Sequence, residues 1–264
     1  MSPVRIILRR EFASYFATPL AYVFIVIFLV LAGVCTFSLG SLFERGQADL
    51  SPLFRFLPWL YLFLVPAVSM RLWAEERKSG SIELLLTQPV TLWQAVLGKF
   101  LAAWIFVGIA LALTFPTWIT INYLGNPDNG AVFAGYVGAF IMAGAYLAVG
   151  SCMSALTNNQ VIAFVLSAVV CFVFTLAGYS AVTDWSRGLF DWIGSWSFMG
   201  EGARNVVQYV GGAITDGIAG LSFLTHFDNI SKGVLALRDL LYFGLVIVFF
   251  LMSSAALLES RKSN

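Results

Sequence analysis

Residues 129–183 read NGAVFAGYVGAFIMAGAYLAVGSCMSALTNNQVIAFVLSAVVCFVFTLAGYSAVT and contain no Lys, Arg, Asp or Glu. A helix crosses the hydrocarbon core of a bilayer with about 20 apolar residues, so this stretch is long enough for two spans. The polar segment Thr157-Asn-Asn-Gln160 is the natural turn between them. Membrane β-strands would alternate over about ten residues, whereas these runs are continuous. The stretch therefore predicts a pair of transmembrane helices.

The same pattern extends along the chain. Three further stretches lack the four charged residue types: 20–43, 100–127 and 240–258. Another apolar stretch begins near Phe56 and is interrupted by Pro58 and Pro66. The chain is 59% hydrophobic and 11% charged, whereas soluble domains carry about 25% charged residues. The sequence thus predicts an all-α polytopic membrane protein, one domain over 1–264 with six spans at 20–43, 56–74, 92–122, 131–156, 161–183 and 239–258.

Positive charge predicts the orientation, because cytoplasmic loops carry an excess of Lys and Arg. With the N-terminus in the cytoplasm, the inside segments hold nine Lys or Arg and five acids, and the outside segments hold six and nine. The inside segments are 1–19, 71–99, 157–160 and 259–264. Both termini are therefore predicted to be cytoplasmic, and the apolar run after Arg10 is predicted to be an uncleaved anchor, since it is too long for a signal peptide.

The first 19 residues predict an amphipathic entry helix before the first span. An apolar stripe recurs at helical spacing, formed by Val4, Ile7, Leu8, Phe12, Tyr15 and Phe16. Arg5, Arg9 and Arg10 lie away from the stripe and can face anionic headgroups. Thr18 and Pro19 then suit the N-cap and first turn of the first span.

Residues 75–91 form a charged loop between two spans, with its own helix signals. Gly80 and Ser81 end one helix, and Ser81 can cap a short helix over 82–87 that Pro89 ends. Thr91 and Gln94 fit a capping box that starts the third span. The loop displays charged residues and leucine knobs, which favours a docking element over a plain connector: Glu75, Glu76, Arg77, Lys78, Glu83, Leu84, Leu85 and Leu86.

The stretch 184–238 is too polar to span a bilayer and too aromatic for a free linker, so it is predicted to be an extracytoplasmic loop with interfacial helices. Trp185, Leu189, Trp192 and Trp196 recur at helical spacing. Val206–Ile218 suggests a second helix or a re-entrant piece. His226 is the only histidine and is interpreted as a hydrogen-bonding loop residue, because one histidine cannot build a metal site.

Motifs for energy-yielding chemistry are missing from the sequence. The Gly98-Lys99 pair has Trp93 where a phosphate-binding loop needs its first glycine. No HExxH, GxSxG or CxxC occurs. The sequence predicts no catalytic, cofactor-binding or metal-binding residue, and no nucleic-acid partner. An outside motor acting on the 75–91 loop is therefore the preferred interpretation.

Charged residues are also scarce within the predicted spans. Ion-coupled carriers usually bury ionisable residues at membrane depth, whereas Arg71 and Lys99 are predicted to sit at span ends and snorkel. Polar residues at depth, such as Ser151, Ser154 and Thr175, are interpreted mainly as helix–helix hydrogen bonds. The Gly- and Ala-rich fourth span predicts close helix packing within the chain.

Four blocks resemble the permease family of ABC-2 type transporters, in its gliding-motility-associated branch. They lie at 10–23, 64–83, 88–99 and 226–239, and the most specific is LVPAVSMRLWAEERKSGSIE at 64–83. Ser81 departs from the threonine that is more common in the family, although either hydroxyl can cap a helix.

The resemblance implies a non-catalytic subunit of an exporter in the bacterial inner membrane. Expected partners are a dimer of cytoplasmic ABC ATPase subunits that binds ATP and Mg, a second or paralogous permease, membrane lipids and an additional envelope subunit. The implied coupling residues are Glu75, Glu76, Arg77, Gly80, Ser81, Glu83, Leu84, Leu85 and Pro89, and those of the entry-helix interface are Arg9, Arg10, Glu11 and Phe12. Two alternatives stay open: a force-transmitting scaffold whose ATPase gates another envelope protein, and an autonomous channel or carrier.

Overall fold

A computed structural model describes residues 3–44, 46–80, 91–195 and 201–260. Within these residues the chain forms twelve α-helices and no strand. The helices are α1 (Pro3–Ala17), α2 (Pro19–Val34), α3 (Ser51–Ser69), α4 (Arg71–Lys78), α5 (Leu92–Ala112), α6 (Phe115–Leu124), α7 (Asn129–Leu156), α8 (Gln160–Leu176), α9 (Ser180–Gly194), α10 (Glu201–Gly220), α11 (Phe223–Ser231) and α12 (Leu237–Ser260). A π-helical turn, Cys35–Leu39, extends α2.

Five helical segments are long and apolar enough to cross a membrane: Ala21–Leu39, Ser51–Lys78, Leu92–Leu124, Asn129–Leu156 and Leu237–Ser260. A sixth span results if the bent pair formed by α8 and α9 is counted as one. Apolar side chains stay exposed along α2, α8 and α12, for example Val30, Val169 and Val248. Such faces suit a lipid environment, where helices satisfy their own backbone hydrogen bonds. The predicted all-α polytopic membrane fold is confirmed.

The centre of the bundle is α7, which packs against α3, α5, α11 and α12. Its glycines allow these close approaches. A Cβ atom built on Gly150 would lie 2.5 Å from Cβ of Ser69 in α3, and one built on Gly138 would lie 2.5 Å from Cγ2 of Ile230 in α11. The predicted close packing of the small-residue span within the chain is confirmed.

The fifth predicted span differs from the unbroken helix expected over 161–183. Helix α8 ends at Leu176, and the chain bends by 71° into α9. The bend lies where the start of α11 packs closely on the backbone: a Cβ atom built on Gly178 would lie 2.5 Å from Oγ of Ser222. A tertiary contact that periodicity cannot reveal thus accompanies the break.

Helices α9 and α10 form a hairpin after this bend. The hydroxyls of Ser186 and Thr215 lie 2.9 Å apart, and Arg187 pairs with Asp216 at 3.5 Å. The predicted aromatic helix corresponds to α9, and both of its described tryptophans, Trp185 and Trp192, are exposed. Trp196 lies outside the described residues. The second predicted segment, 206–218, lies within α10.

The junction between α1 and α2 follows the prediction only in part. Pro19 begins α2 and Thr18 occupies the N-cap position, but no side-chain cap forms. The Thr18 hydroxyl instead donates to the Tyr15 carbonyl at 3.0 Å. Thr18 therefore ties α2 back to the entry helix.

Candidate functional site

An ion cluster built around a buried lysine joins three helices at one end of the bundle. Nζ of Lys99 in α5 lies 2.8 Å from Oε1 of Glu76 in α4 and 3.4 Å from Oε1 of Glu11 in α1. The Lys99 side chain is only 4% exposed, and each carboxylate side chain is 19% exposed. We call Glu11, Glu76 and Lys99 the Lys99 cluster. Because a buried charge is costly unless it is paired, these three residues hold α1, α4 and α5 together.

Neighbouring groups complete the electrostatics of the Lys99 cluster. The ammonium of Lys99 lies 5.3 Å from the ring centroid of Trp73, a distance that permits a cation–π attraction. Arg10 pairs with Glu11 at 2.8 Å, and Arg71 pairs with Glu75 at 3.6 Å. Arg10 offsets the one excess negative charge of two carboxylates around one lysine, and Arg71 balances the neighbouring Glu75.

The entry helix packs against protein along its apolar stripe. Ile7 is buried against α5, where a Cβ atom built on Gly98 would lie 2.7 Å from Cγ2 of Ile7. The Tyr15 ring stacks on Phe106 with centroids 5.0 Å apart. Burial, followed by the charge of Glu11, raises the pKa of Tyr15 above its ordinary value, so the phenol is neutral. Helix α5 therefore covers Ile7 and Tyr15 of the apolar stripe.

Helix α4 receives its N-terminal cap from a distant residue. The first N–H groups of a helix lack partners within it. Oγ of Ser154, in α7, accepts hydrogen bonds from the N–H groups of Trp73 and Ala74, each at 3.1 Å, and donates to the Met70 carbonyl at 2.9 Å. Ser154 is fully buried, so these two N–H groups rely on its hydroxyl and not on solvent. The start of α4 is thus fixed to the central helix.

Two more hydrogen bonds reinforce the contact between α4 and α7. Nε1 of Trp73 donates to Oγ of Ser151 at 3.1 Å. The Arg77 guanidinium donates to the Ala155 carbonyl near the end of α7. Ser151 and Ser154 therefore fulfil the interhelical hydrogen-bonding role predicted for them. Helix α4 is thus attached to the central helix α7 both at its start and near its end.

Replacing Ser154 with Ala should lower the free energy of unfolding by about 1–3 kcal/mol, because two buried backbone donors lose their acceptor. Titration of the purified protein with SDS would measure the change. Ser253→Ala is the matched control, since that hydroxyl donates to Phe249 in its own helix. Equal stability of the Ser154→Ala and Ser253→Ala variants would contradict the proposed capping of α4 by Ser154.

A polar cleft of about 450 Å³ opens beside the Lys99 cluster, between α1 and α4. Its walls include Ser14, Thr18 and Tyr15 together with the charged groups of the cluster and its arginines. Among the residues that the structure describes, no group of three or more His, Cys, Asp or Glu could hold a metal ion. The arrangement is suited to holding helices in a defined relative position.

The predicted coupling residues divide between described and undescribed parts of the chain. Glu75, Glu76 and Arg77 lie in α4. Gly80 follows its C-terminus with φ of +71°, a conformation that favours glycine and ends the helix as predicted. The remaining predicted residues, and the short helix over 82–87, lie outside the described residues: Ser81, Glu83, Leu84, Leu85 and Pro89.

The far end of this loop matches the predicted capping box. The N–H of Gln94 donates to Oγ1 of Thr91 at 3.4 Å, and the N–H of Thr91 donates to Oε1 of Gln94 at 3.2 Å. Helix α5 begins immediately afterwards at Leu92. Residues 81–90 are thus flanked by α4 and α5, which both contribute to the Lys99 cluster.

The predicted entry-helix residues have different environments. Arg9 and Arg10 are exposed, Phe12 is half-buried, and Glu11 belongs to the Lys99 cluster. The expectation that Lys99 snorkels to the membrane surface is wrong. Two carboxylates from other helices pair with Lys99 in the bundle. The sequence gives one indication of this cluster: the predicted topology places Glu11, Glu76 and Lys99 on the same side of the membrane.

Comparison with known families bears on this site. Residues 59–189 match the family described as ABC-2 family transporter protein. The match covers about half of the chain, from α3 to α9, and includes Glu76 and Lys99. Domains of this family are the membrane component of a transporter and not its ATPase. The ABC-2 match therefore supports a membrane permease subunit of an ABC transporter. The comparison with curated proteins returned no significant match.

Proposed function

We propose that this chain is the permease subunit of an ABC-2 type exporter, driven by a separate dimer of cytoplasmic ABC ATPase subunits. The Lys99 cluster is the observation that supports this most strongly. It ties together the helix before residues 81–90, the helix after them and the entry helix. A push on that loop would be received by all three helices as one unit.

The proposed path of motion continues from the cluster into the bundle. Helix α4 is bonded to α7 through Ser154, Ser151 and the Ala155 carbonyl. Closure of the ATPase dimer on ATP would move the loop, α4 and α1, and α7 would follow. In this proposal the bundle has two arrangements, and the nucleotide cycle changes how strongly each is populated. The size of that change is set by the difference in the ATPase's affinity for the two arrangements. ATP and Mg are bound by the partner, and this chain supplies no catalytic residue.

The proposal includes a membrane setting and further partners. The end with the Lys99 cluster faces the cytoplasm, both termini lie there, and the bundle sits in the bacterial inner membrane. A second or paralogous permease completes the pathway, with lipids around it and an envelope subunit outside. The resemblance of the 64–83 block favours the gliding-motility-associated branch.

The test is purification of the full chain with and without a co-expressed ABC ATPase, followed by reconstitution into liposomes. We expect a stable complex whose ATP hydrolysis is higher than that of the ATPase alone. Ion or solute flux through the chain alone, without nucleotide, would support the autonomous carrier and overturn the proposal. ATP-dependent binding of an envelope protein without solute flux would instead support the scaffold alternative.

A further inference from the structure

A second polar cavity lies at the opposite end of the bundle from the Lys99 cluster. It measures about 740 Å³ and is bordered by the starts of α3 and α7, the turn after α8, and α11. Arg55 lines it near the start of α3, whereas Glu76 follows the end of that helix. The part of α3 from Arg55 to Ser69 lies between the two sites and is about 21 Å long at 1.5 Å per residue.

Helix α11 forms a wall that is held rigidly in place. Nδ1 of His226 lies 2.5 Å from Oδ1 of Asp239 in α12, and Nε2 lies 3.0 Å from the Gly220 carbonyl. Both side chains are buried. His226 is thus a hydrogen-bonding residue as predicted, although it lies in a helix and not in a loop. Ile230 also packs onto Gly138 of α7. The wall is therefore preorganised, and a ligand would not have to order it.

The charged groups on the cavity walls leave an excess of one positive charge. Lys232 pairs with Asp228 at 2.5 Å, and both side chains are exposed. Within the described part of the chain Arg55 forms no ion pair, and its side chain is exposed to the cavity. A guanidinium presents a planar set of donors that matches the oxygens of a phosphate. An anion is therefore the complementary ligand.

The remaining lining is divided between polar and apolar groups. Thr225 and Asn229 are exposed, and Nδ2 of Asn229 donates to Oδ2 of Asp239 at 3.4 Å. Phe54 and Phe227 form an edge-to-face pair with centroids 6.4 Å apart, and Pro58 adds to this apolar side. A ligand with an anionic group on an apolar or glycerol-like body would match both parts.

We propose that this cavity binds a phosphate-bearing group, with Arg55 as its main ligand and Lys232 and Thr225 beside it. The group belongs either to a lipid headgroup or to a soluble phosphate. The inference goes beyond the proposed function and is independent of it, because binding requires no ATPase. Non-specific attraction to lipid phosphates would involve any exposed arginine. The proposed site differs because binding depends on Arg55 in the cavity.

The test uses the full chain in dodecyl maltoside, a detergent without phosphate. Calorimetric titrations are made with a short-chain phosphatidylglycerol and with inorganic phosphate. We expect saturable binding of at least one of them, and Arg55→Gln should weaken it about tenfold, as loss of hydrogen bonds to a charged group does. Binding of the lipid alone identifies a headgroup site, and binding of both identifies a phosphate site open to soluble anions.

Arg204→Gln is the matched control, since Arg204 is exposed on α10 and does not line the cavity. This control should bind as tightly as the parent protein. The thermal unfolding temperatures of both variants should be unchanged, because both side chains are exposed. Failure of both probes to bind, or equal weakening by the two substitutions, would overturn the proposal.

Discussion

Replacing Lys99 with Met should lower the free energy of unfolding by about 3–5 kcal/mol, the usual effect of removing one partner from a buried ion pair. The substitution leaves the carboxylates of Glu11 and Glu76 facing each other without the ammonium between them. Titration of the purified protein with SDS would measure the loss. ATPase stimulation by the reconstituted complex should fall with it, because α1 and α4 would no longer move together.

Two variants separate the charge effect from the loss of a long side chain. Lys78→Met removes an exposed lysine at the end of α4 and should change stability by less than about 0.5 kcal/mol. The triple variant Glu11→Gln, Glu76→Gln, Lys99→Met should recover much of the stability, since no unpaired charge remains buried. A triple variant as unstable as Lys99→Met would contradict the ionic account of the cluster.

Replacing Gly150 with Val should lower the free energy of unfolding by about 3 kcal/mol, an effect similar to that of Lys99→Met. This is near the upper end of the usual range for overpacking. Even a Cβ atom at this position would lie 2.5 Å from Cβ of Ser69 and 3.0 Å from Oγ of Ser167. Helices α3 and α8 would both have to move away from α7. Lower thermal stability and earlier unfolding in SDS would show the effect.

Gly244→Val provides the control, because it places the same side chain in another membrane-spanning helix. A Cβ atom at Gly244 has no neighbouring atom within 4 Å. Because valine also has a somewhat higher helix propensity than glycine, the stability of this variant should be unchanged or slightly raised. Equal stability of the two valine variants would contradict the close packing of α3 against α7 at Gly150.

The features that could be predicted from the sequence have local causes. Long apolar runs predicted helices able to cross a membrane, and Thr91 with Gln94 predicted the start of α5 through a capping box. Gly80 predicted the end of α4 because a positive φ favours glycine. In each case the determining residues are neighbours along the chain, so their spacing alone carries the information.

The contacts within the candidate site could not be predicted, because they join residues that are distant along the chain. The Lys99 cluster joins positions 11, 76 and 99, and the cap of α4 comes from Ser154. A lysine near a span end normally reaches for water, since its long side chain can snorkel. The packing of α1 and α4 over α5 places two carboxylates beside Lys99, so the ammonium is paired within the protein instead of reaching water. The bend after Leu176 likewise accompanies a contact with α11.

Cysteine cross-linking of the chain to its ATPase tests the central claim most directly. The native cysteines, Cys35, Cys152 and Cys171, would first be replaced with Ala. Lys78→Cys then places a single cysteine at the exposed end of α4, and Asn126→Cys places one at the opposite end of the bundle. We expect only the Lys78→Cys variant to cross-link to the ATPase, with a yield that changes when ATP and vanadate are added. Cross-linking from position 126, or labelling of position 78 from outside the cell, would contradict the account.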